Sequence, residues 1–357
     1  MSKPKIRFKG YEEDWEQRKL ENIVEVCSGR DYKHLEAGNI PVYGTGGYML
    51  SVSEALSYDV DAIGIGRKGT IDKPYILKAP FWTVDTLFYC ICKEGHNLNF
   101  VYDIFQNINW KAMDESTGVP SLSKTTINKV KTLIPSYLEQ EKIGKYFSCL
   151  DKLITLHQRK CEETKKLKKY MLQKMFPQNG KRVPEIRFAG FTDDWEQRKL
   201  ENIVEVCSGR DYKHLEAGNI PVYGTGGYML SVSEALSYDV DAIGIGRKGT
   251  IDKPYILKAP FWTVDTLFYC ICKEGHNLNF VYDIFQNINW KAMDESTGVP
   301  SLSKTTINKV KTLIPSYLEQ EKIGKYFSCL DKLITLHQRK YEELQKIKKF
   351  MLQNMFI

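Results

Sequence analysis

Hydrophobic and polar positions follow two patterns along the chain, and the change between them falls at Pro135. Between residues 15 and 135, short apolar runs alternate with glycine-rich turns, which is typical of mostly β structure. Within this part, apolar residues at helical spacing predict one helix over residues 98–109. Residues 125–134 predict a short helix or turn followed by a strand. The runs that predict other strands are residues 40–43, 60–65 and 86–92.

After Pro135 the spacing of apolar residues becomes helical. Residues 136–176 contain no proline and a single glycine. Ser136 and Glu139 fit an N-terminal capping box. Polar residues such as Lys168 interrupt the apolar stripe, so this long helix needs a partner to be stable. The seam expected to pack consists of Leu138, Ile143, Tyr146, Phe147, Leu150, Leu153, Ile154, Cys161, Leu167, Met171 and Met175.

The chain contains a long internal repeat. Residues 14–160 recur without a substitution as residues 194–340. Outside this core the correspondence is imperfect, since residues 161–176 match residues 341–356 at ten of sixteen positions. Diverged flanks around an identical core indicate an old two-fold repeat whose core was later overwritten in one half. Two copies of one surface predict a target with the same internal repetition.

The pattern and the repeat together predict an α+β fold. Two mixed, mostly β domains are separated by two long antiparallel α-helices, which form a coiled-coil spacer with pseudo-two-fold symmetry. The domains are expected at residues 1–136 and 181–316. The long helices, the first with its linker, are expected at residues 137–180 and 317–357.

Composition narrows the class of protein. The net charge is +7, and residues 158–182 hold nine Lys and Arg against two Glu, whereas the repeated domains are slightly acidic. A basic segment favours a polyanionic partner, although a solvated helix face gives the same pattern. The nine cysteines form no disulfide framework, which favours a reducing cytoplasm. Neither a signal peptide nor a membrane span is expected.

One glycine-rich motif invites a cofactor interpretation. Gly64-Ile65-Gly66-Arg67-Lys68-Gly69 has the letters of a dinucleotide-binding turn. Such a turn needs a helix to begin at the glycines, and Pro74 and Pro80 follow too soon for one. A tight turn that exposes Arg67 and Lys68 is the better interpretation.

Motifs for metal binding and catalysis are incomplete or missing. Cys90, Cys92 and His96 would supply three zinc ligands without a fourth, so buried thiols are expected instead. The sequence lacks Gly-x-Ser-x-Gly, His-Glu-x-x-His and the Pro-Pro stretch of amino-methyltransferases. The absence of these motifs does not exclude an enzyme, but it leaves no residue that can be assigned to catalysis.

Residue types suited to nucleic-acid contact fall on expected loops of each repeat. Each loop mixes Arg or Lys with hydroxyl or aromatic side chains, the chemistry used on phosphates and base edges. An ordinary polar loop is the alternative for each group. The candidates in the first repeat are Arg30, Tyr32, Lys33, Tyr43, Thr45, Tyr48, Arg67, Lys68, Thr70, Lys73, Ser121, Ser123, Lys124 and Thr125. Those in the second repeat are Arg210, Tyr212, Lys213, Tyr223, Thr225, Tyr228, Arg247, Lys248, Thr250, Lys253, Ser301 and Lys304.

Several longer motifs occur once in each repeat. Ile6-Arg7-Phe8 precedes the first domain, and Ile65-Gly66-Arg67-Lys68-Gly69-Thr70 and Ser116-Thr117-Gly118-Val119-Pro120-Ser121 lie within it. Pro135, followed by Glu139-Gln140 and Ile143, opens the long helix and is the most specific of them. On these motifs nearly the whole chain resembles the specificity subunit of type I restriction–modification systems.

The resemblance implies two target recognition domains, each reading one half of a bipartite site in double-stranded DNA. The long helices would fix the spacing and dock methylation subunits, two in the expected assembly, and restriction subunits would join the complex. The chain itself would be non-catalytic and would bind no cofactor or metal. S-adenosylmethionine, ATP and Mg²⁺ would serve adenine methylation and cleavage in the partner subunits.

The identity of the two domains departs from the usual family pattern of two different ones. Identical domains related by a two-fold axis make the same contacts on opposite strands, which predicts a palindromic interrupted site methylated at one adenine in each half. Two alternatives stay open. One is the specificity chain of a combined cut-and-methylate enzyme, and the other is a scaffold that binds proteins rather than DNA.

Overall fold

The computed structural model describes residues 3–357, which form two compact units. Unit 1 combines residues 3–158 with Arg339–Ile357, and unit 2 is Arg159–Gln338. The borders of the units fall inside the two long helices. Each unit therefore consists of one domain and a part of each helix, a division that crosses the linear boundaries expected from the sequence.

The domain of unit 1 is mostly β structure. Its strands are β1 (Glu16–Lys19), β2 (Val24–Ser28), β3 (Ala37–Gly44), β4 (Gly47–Val52), β5 (Ala62–Gly66), β6 (Tyr75–Leu77), β7 (Trp82–Thr83), β8 (Leu87–Cys92) and β9 (Lys131–Ile134). Strands β2, β8, β5 and β6 form an antiparallel sheet in that order, and β4, β3 and β7 form a second sheet. Strand β1 pairs with β9, so the chain leaves the domain beside its point of entry.

The helices of unit 1 follow the predicted pattern. They are α1 (Leu98–Asn107), α2 (Lys124–Lys129) and the first part of α3 (Tyr137–Lys174), with short 3-10 helices at Leu20–Asn22 and Trp110–Met113. The Asn97 side chain caps α1 and the Ser123 hydroxyl caps α2. The predicted helices are confirmed, and α1 ends at Asn107, shortly before the predicted residue 109.

Unit 2 repeats these elements in the same order. They are β10 (Glu196–Lys199), β11 (Val204–Ser208), β12 (Ala217–Gly224), β13 (Gly227–Val232), β14 (Ala242–Gly246), β15 (Tyr255–Leu257), β16 (Trp262–Thr263), β17 (Leu267–Cys272), α4 (Leu278–Asn287), α5 (Lys304–Lys309), β18 (Lys311–Ile314) and α6 (Tyr317–Met355). The strand order of every sheet is also repeated. The α+β fold with two mixed, mostly β domains and two long helices is confirmed.

The core of each unit is completed by the end of a long helix from the other repeat. In unit 1, Phe356, just after α6, stacks on Phe100 with ring centroids 5.5 Å apart. The centroid of the Phe147 ring of α3 lies 5.9 Å from that of the Phe356 ring. In unit 2, Phe176, just after α3, stacks on Phe280 at 5.5 Å. Burying one such side chain contributes about 1.5–3 kcal/mol, so the helix ends matter for the stability of the domains.

Within each unit the two helix segments run antiparallel. In unit 1, Phe147 of α3 meets Phe356, and one turn further along α3, Asp151 forms an ion pair with Lys348 of α6. In unit 2, Lys168 of α3 pairs with Asp331 of α6. Lys168 is buried, so a residue that appeared to interrupt the apolar stripe is part of it.

Three positions of the predicted seam are wrong. Leu138 is 68 % exposed, and Leu153 and Leu167 are 43 % and 45 % exposed. The residues of α3 that are buried include Ile143, Phe147, Leu150, Cys161 and Lys168. Leu153 and Leu167 stand close beside this stripe in sequence, and about 100° per residue turns them toward solvent.

The motifs at the start of the domain and at the start of α3 meet in the fold. Both carboxylate oxygens of Glu139 accept hydrogen bonds from Arg7, each at 2.7 Å. In the described structure the Glu139 carboxylate binds Arg7 and does not accept from the Ser136 N–H. The expected capping box is therefore wrong in its Glu139 contact. Gln140 accepts from the Asn97 N–H and donates to the Pro135 carbonyl, which ties α1 to α3.

The single glycine of α3 also has a packing role. A Cβ on Gly144 would lie 2.7 Å from both the Phe100 nitrogen and the Asn97 Oδ1. Any larger residue would push the start of α1 away from α3. The close approach of the two helices explains why a poor helix former stands there.

Candidate nucleic-acid interface

A tight turn after β5 carries two exposed cations. A Cβ on Gly66 would lie 2.0 Å from the Thr70 carbonyl oxygen, so the turn closes only over a glycine. Gly69 has φ +92°, a left-handed conformation that favours glycine. Arg67 and Lys68 stand exposed between them. The predicted turn that lifts these two side chains off the surface is confirmed.

The Arg67 guanidinium is held in place without an acidic partner. Its Nη1 lies 3.4 Å from the Asp85 carbonyl oxygen, and its Cζ lies 5.8 Å from the centre of the Phe88 ring. Phe88 is buried and gives the guanidinium a fixed apolar platform. The ion pairs described for residues 3–357 do not include Arg67, whereas Lys78 and Lys111 of the same domain are paired with carboxylates. Arg67 is therefore available to an anion outside the protein.

A loop from residues 114–121 is fastened to this turn. The Gly69 N–H donates to the Pro120 carbonyl at 2.8 Å, and the Leu122 N–H donates to the Arg67 carbonyl at 3.0 Å. Inside the loop, one carboxylate oxygen of Asp114 accepts from the backbone N–H groups of Ser121 and Ser116. These hydrogen bonds lower the pKa of Asp114, so the loop keeps this brace at neutral pH.

The turn, the loop and the start of α2 form an open cleft of about 370 Å³. Its charged members, Arg67, Lys68 and Lys124, come from two candidate groups far apart in sequence, and the ion pairs described for residues 3–357 include none of the three. We name this the basic cleft; its lining consists of Ser28, Arg67, Lys68, Phe88, Ser121, Leu122, Ser123 and Lys124. Unpaired cations beside hydroxyl donors can bind phosphate groups or base-edge acceptors.

The hairpin between β3 and β4 approaches the same turn. A Cβ on Gly69 would lie 3.7 Å from the Thr45 Oγ1, so the hairpin and the turn are neighbours. Tyr48 is 63 % exposed beside the turn of this hairpin. Tyr43 is half-buried and packs against Tyr75, whose hydroxyl donates to the Gly44 carbonyl at 2.6 Å. Tyr43 thus supports the hairpin more than it offers a free surface.

The remaining candidates of the first repeat are less closely tied to the cleft. Tyr32 is half-buried against a small apolar cluster that includes Trp82, and the Trp82 indole donates to the Arg30 carbonyl at 2.9 Å. Thr70 is half-buried and closes the turn with its carbonyl group. Lys33 and Lys73 are exposed, and none of the contacts described for residues 3–357 joins them to the cleft. Their role in binding stays a prediction.

Unit 2 carries the same surface. The Arg247 guanidinium again lies 3.4 Å from a carbonyl oxygen, that of Asp265, and 5.8 Å from the Phe268 ring centre. The second cleft measures about 400 Å³ and is lined by Ser208, Arg247, Lys248, Phe268, Ser301, Leu302, Ser303 and Lys304. Thr225 borders Gly249, and Tyr228 is 63 % exposed, as their counterparts are. The remaining candidates, Arg210, Tyr212, Lys213, Tyr223, Thr250 and Lys253, repeat the burial of their counterparts.

The geometry also settles what the other motifs are. No helix begins at the glycines of residues 64–69, so the helix N-terminus that would face a pyrophosphate is missing there. Cys90 is fully buried, and burial raises the pKa of Cys92 to about 12, which confirms packed thiols. In the described part of the chain, no group of three or more His, Cys, Asp or Glu side chains could hold a metal ion. None of its helices is long and apolar enough to cross a membrane.

The residue types did not identify the side chains that support the cleft residues from inside the domain. Phe88 lies in the predicted strand run of residues 86–92, and the structure shows that its ring also supports Arg67. Glu115 accepts hydrogen bonds from the hydroxyls of Ser123 and Thr126 and braces the loop to α2. The sequence signal for these roles is weak because each contact joins residues separated by eight or more positions.

The fold and the cleft together define a class of protein. Two like units, each presenting unpaired cations from neighbouring loops, are typical of proteins that recognise nucleic acid. The sequence profile of the type I restriction modification DNA specificity domain matches residues 12–166 and again residues 192–346. The chain belongs to this family, and the prediction of a type I specificity subunit is confirmed.

Relatives and a solved structure agree with this assignment. The type I restriction enzyme MjaVIII specificity subunit of Methanocaldococcus jannaschii is 22 % identical over 67 % of this chain, and the match spans only 64 % of that relative. The putative MjaX specificity subunit of the same organism is 23 % identical over 94 % of this chain and 91 % of its own length. The type I restriction–modification S subunit of M. genitalium has a similar fold, with TM-score 0.80, 16 % identity and 99 % of both chains covered.

Proposed function

We propose that the chain reads a bipartite site in double-stranded DNA, with the basic cleft of each unit on one half-site. The observation that carries this proposal is the presence of the same cleft in both units, each with an arginine on an aromatic platform and no acidic partner among the described ion pairs. Arg and Lys beside hydroxyl groups suit the acceptors of the major groove and the phosphates that flank it. The domains are slightly acidic outside such local patches, so much of the phosphate grip falls to partners.

The chemistry belongs to partner subunits in this proposal. The chain acts as the non-catalytic specificity subunit of an assembly with two methylation subunits and with restriction subunits. Those partners hold S-adenosylmethionine for adenine methylation and ATP with Mg²⁺ for cleavage. Membership of the specificity family supports this division of labour.

The two half-sites are the same sequence in inverted orientation. Residues 14–160 and 194–340 are identical, so the two clefts contact the same bases in the same way. An inverted arrangement of the domains on DNA then gives an interrupted palindrome with one methylated adenine in each half.

Sequencing the DNA methylated by the assembled complex tests the palindrome. The expected motif has two inverted copies of one half-site around a fixed gap. A motif with unrelated halves would contradict the proposal. As a control, a chain with an unrelated family domain in place of residues 14–134 should keep one half-site and change the other.

Replacing the arginine of each basic cleft tests whether the cleft binds DNA. Arg67→Ala with Arg247→Ala should weaken specific binding by about 1–3 kcal/mol per half-site if each arginine reads a guanine, and should relax the motif at one position in each half. A purely phosphate-binding arginine would instead reduce the salt dependence of binding without changing the motif. The matched control is Arg18→Ala with Arg198→Ala, because both are exposed, lie on β1 and β10, and are paired with Glu16 and Glu196. Unchanged affinity, motif and salt dependence would remove Arg67 from the site.

A further inference from the structure

An apolar side chain stands at the tip of the loop that borders each basic cleft. Val119 is 65 % exposed, and its counterpart Val299 is 64 % exposed. The neighbouring residues 117–120 are all exposed as well. Among residues 3–357, the hydrophobic clusters of the domain do not include Val119, although most of the other valines of the domain are buried.

The backbone around Val119 is held firmly. Its neighbour Pro120 accepts the hydrogen bond from Gly69, which fixes the tip to the turn that carries Arg67. Asp114 closes the loop through Ser116 and Ser121, and the Glu115 N–H donates to the Ser121 carbonyl at 3.1 Å.

The residue type adds to this rigidity. A residue before proline is confined to extended backbone conformations, and a β-branched side chain has few rotamers. Val119 is therefore an apolar group that loses little conformational freedom on binding a ligand. A loop tip that only contacted solvent would not need an apolar side chain on a backbone held this firmly.

The position of Val119 beside the basic cleft indicates which group of the DNA its side chain contacts. Val119 is adjacent in sequence to Pro120, which contacts the turn of Arg67 and Lys68, so DNA seated on those cations lies within reach of the loop tip. The major-groove edge of DNA offers one apolar group, the 5-methyl group of thymine. We propose that Val119 and Val299 are specificity-determining residues, each packing on the methyl group of one thymine in its half-site. This inference rests on the proposed function.

Deoxyuridine tests it, because this base lacks only the methyl group. The assembled complex of the chain with its methylation subunits is titrated with unmethylated duplexes that carry the sequence motif it methylates. Each thymine of the two half-sites is replaced by deoxyuridine, one symmetric pair at a time. Every half-site has at least the thymine opposite the methylated adenine. One position should lose about three- to five-fold in affinity per half-site, the size expected for one buried methyl group.

The variant Val119→Ala with Val299→Ala completes a double-mutant cycle. It should bind the thymine duplex more weakly and should no longer distinguish thymine from deoxyuridine at that position. Its thermal unfolding should match the parent chain because both valines are exposed. Val60→Ala with Val240→Ala is the matched control: these valines are 49 % exposed in another loop, and the deoxyuridine effect should persist.

Two results would overturn the inference. They are a parent complex insensitive to deoxyuridine at every position and a valine variant that retains the sensitivity. A variant that retains it while losing affinity equally for both duplexes would assign Val119 to a sugar or to a protein partner. If the complex binds no bipartite motif at all, the proposed function fails, and that outcome is distinct from a complex that binds the motif without the deoxyuridine effect.

Discussion

Units 1 and 2 have the same domain but different helix ends. The end of α6, residues 341–356, completes unit 1, and the end of α3, residues 161–176, completes unit 2. Leu344 is 5 % exposed and joins the core of unit 1, whereas its counterpart Thr164 in unit 2 is half-buried and bonds the Lys160 carbonyl. Tyr341 in unit 1 corresponds to the buried Cys161 in unit 2.

The residues that did not change between the helix ends are those that reach into the domains. Phe356 and Phe176 stack on equivalent rings, Phe100 and Phe280. Lys348 and Lys168 likewise pair with equivalent aspartates of the long helices, Asp151 and Asp331. The comparison shows that a few anchor positions hold each domain to the helices, while the positions between them can vary. Anchors should therefore behave alike in the two units, and the varied positions should not.

Loss of an aromatic anchor should give the largest effect. Phe356→Ala should destabilise unit 1, and Phe176→Ala should destabilise unit 2, each by about 3–5 kcal/mol, because a large buried side chain is deleted. Hydrogen exchange measures which unit opens. Peptides from residues 14–160 and 194–340 have the same mass, so the readout uses residues 4–13 for unit 1 and 184–193 for unit 2.

The control is Phe350→Ala, since Phe350 is 55 % exposed on the same helix. If Phe356→Ala loosened residues 184–193 instead of residues 4–13, the assignment of helix ends to units would be contradicted.

Exchange of the varied position should show the difference between the units. Leu344→Thr should cost unit 1 about 1–3 kcal/mol through lost burial, whereas Thr164→Leu should leave unit 2 unchanged or slightly more stable. Denaturant unfolding of both variants and of the double exchange gives the comparison. Equal and opposite changes would mean that the two sites are equivalent, against the burial described above.

A buried carboxyl group should give both units the same pH dependence. Asp103 is buried, one of its oxygens has no hydrogen-bond partner among the described residues, and burial raises its pKa well above the usual value. A raised carboxyl pKa means that the folded state binds the proton more tightly, so its contribution to stability is lost as pH rises through the folded pKa. Asp103→Asn removes this loss. Above pH 4, the free energy of unfolding of the variant should therefore rise relative to that of the parent chain by at most about 1.4 kcal/mol per pH unit.

Asp283→Asn provides the matched test in unit 2, where burial raises the pKa of Asp283 in the same way. Unfolding free energies measured from pH 5 to pH 9 should show the same slope difference for both variants. A slope difference in one unit alone would show that the varied helix residues reach this group.

The smallest expected difference concerns DNA binding. Arg67→Ala alone and Arg247→Ala alone should weaken binding of the palindromic site equally, because the two clefts have the same residues and geometry. Fluorescence anisotropy on the symmetric duplex measures the two losses. Unequal losses would mean that the helix ends alter the orientation of the recognition surfaces.

Much of the fold follows from the sequence because periodicity and turn chemistry encode the elements locally. The helix over α1, the turn at Gly66 and Gly69 and the long helices are of this kind. Leu153 and Lys168 illustrate the limit. Their burial depends on which side of the helix meets the domain, and apolar spacing alone does not give that orientation.

The candidate site could be predicted only in part for a related reason. Residue types identified the loops that hold Arg67 and Lys124, but the hydrogen bonds that bring them together join backbone groups far apart in sequence. Backbone hydrogen bonds carry no side-chain signature. The support of Arg67 by Phe88 and the exposure of Val119 are therefore results of the three-dimensional structure.

The placement of Phe356 in the core of unit 1 has a consequence for biosynthesis. Unit 2 is one continuous segment, Arg159–Gln338, so the ribosome has made all of it before residues 339–357 exist. Unit 1 begins first along the chain but cannot close its aromatic core until Phe356 has left the exit tunnel. The domain of unit 1 is thus completed after that of unit 2 during translation, and a stop codon between residues 339 and 356 would damage unit 1 while leaving all of unit 2 encoded.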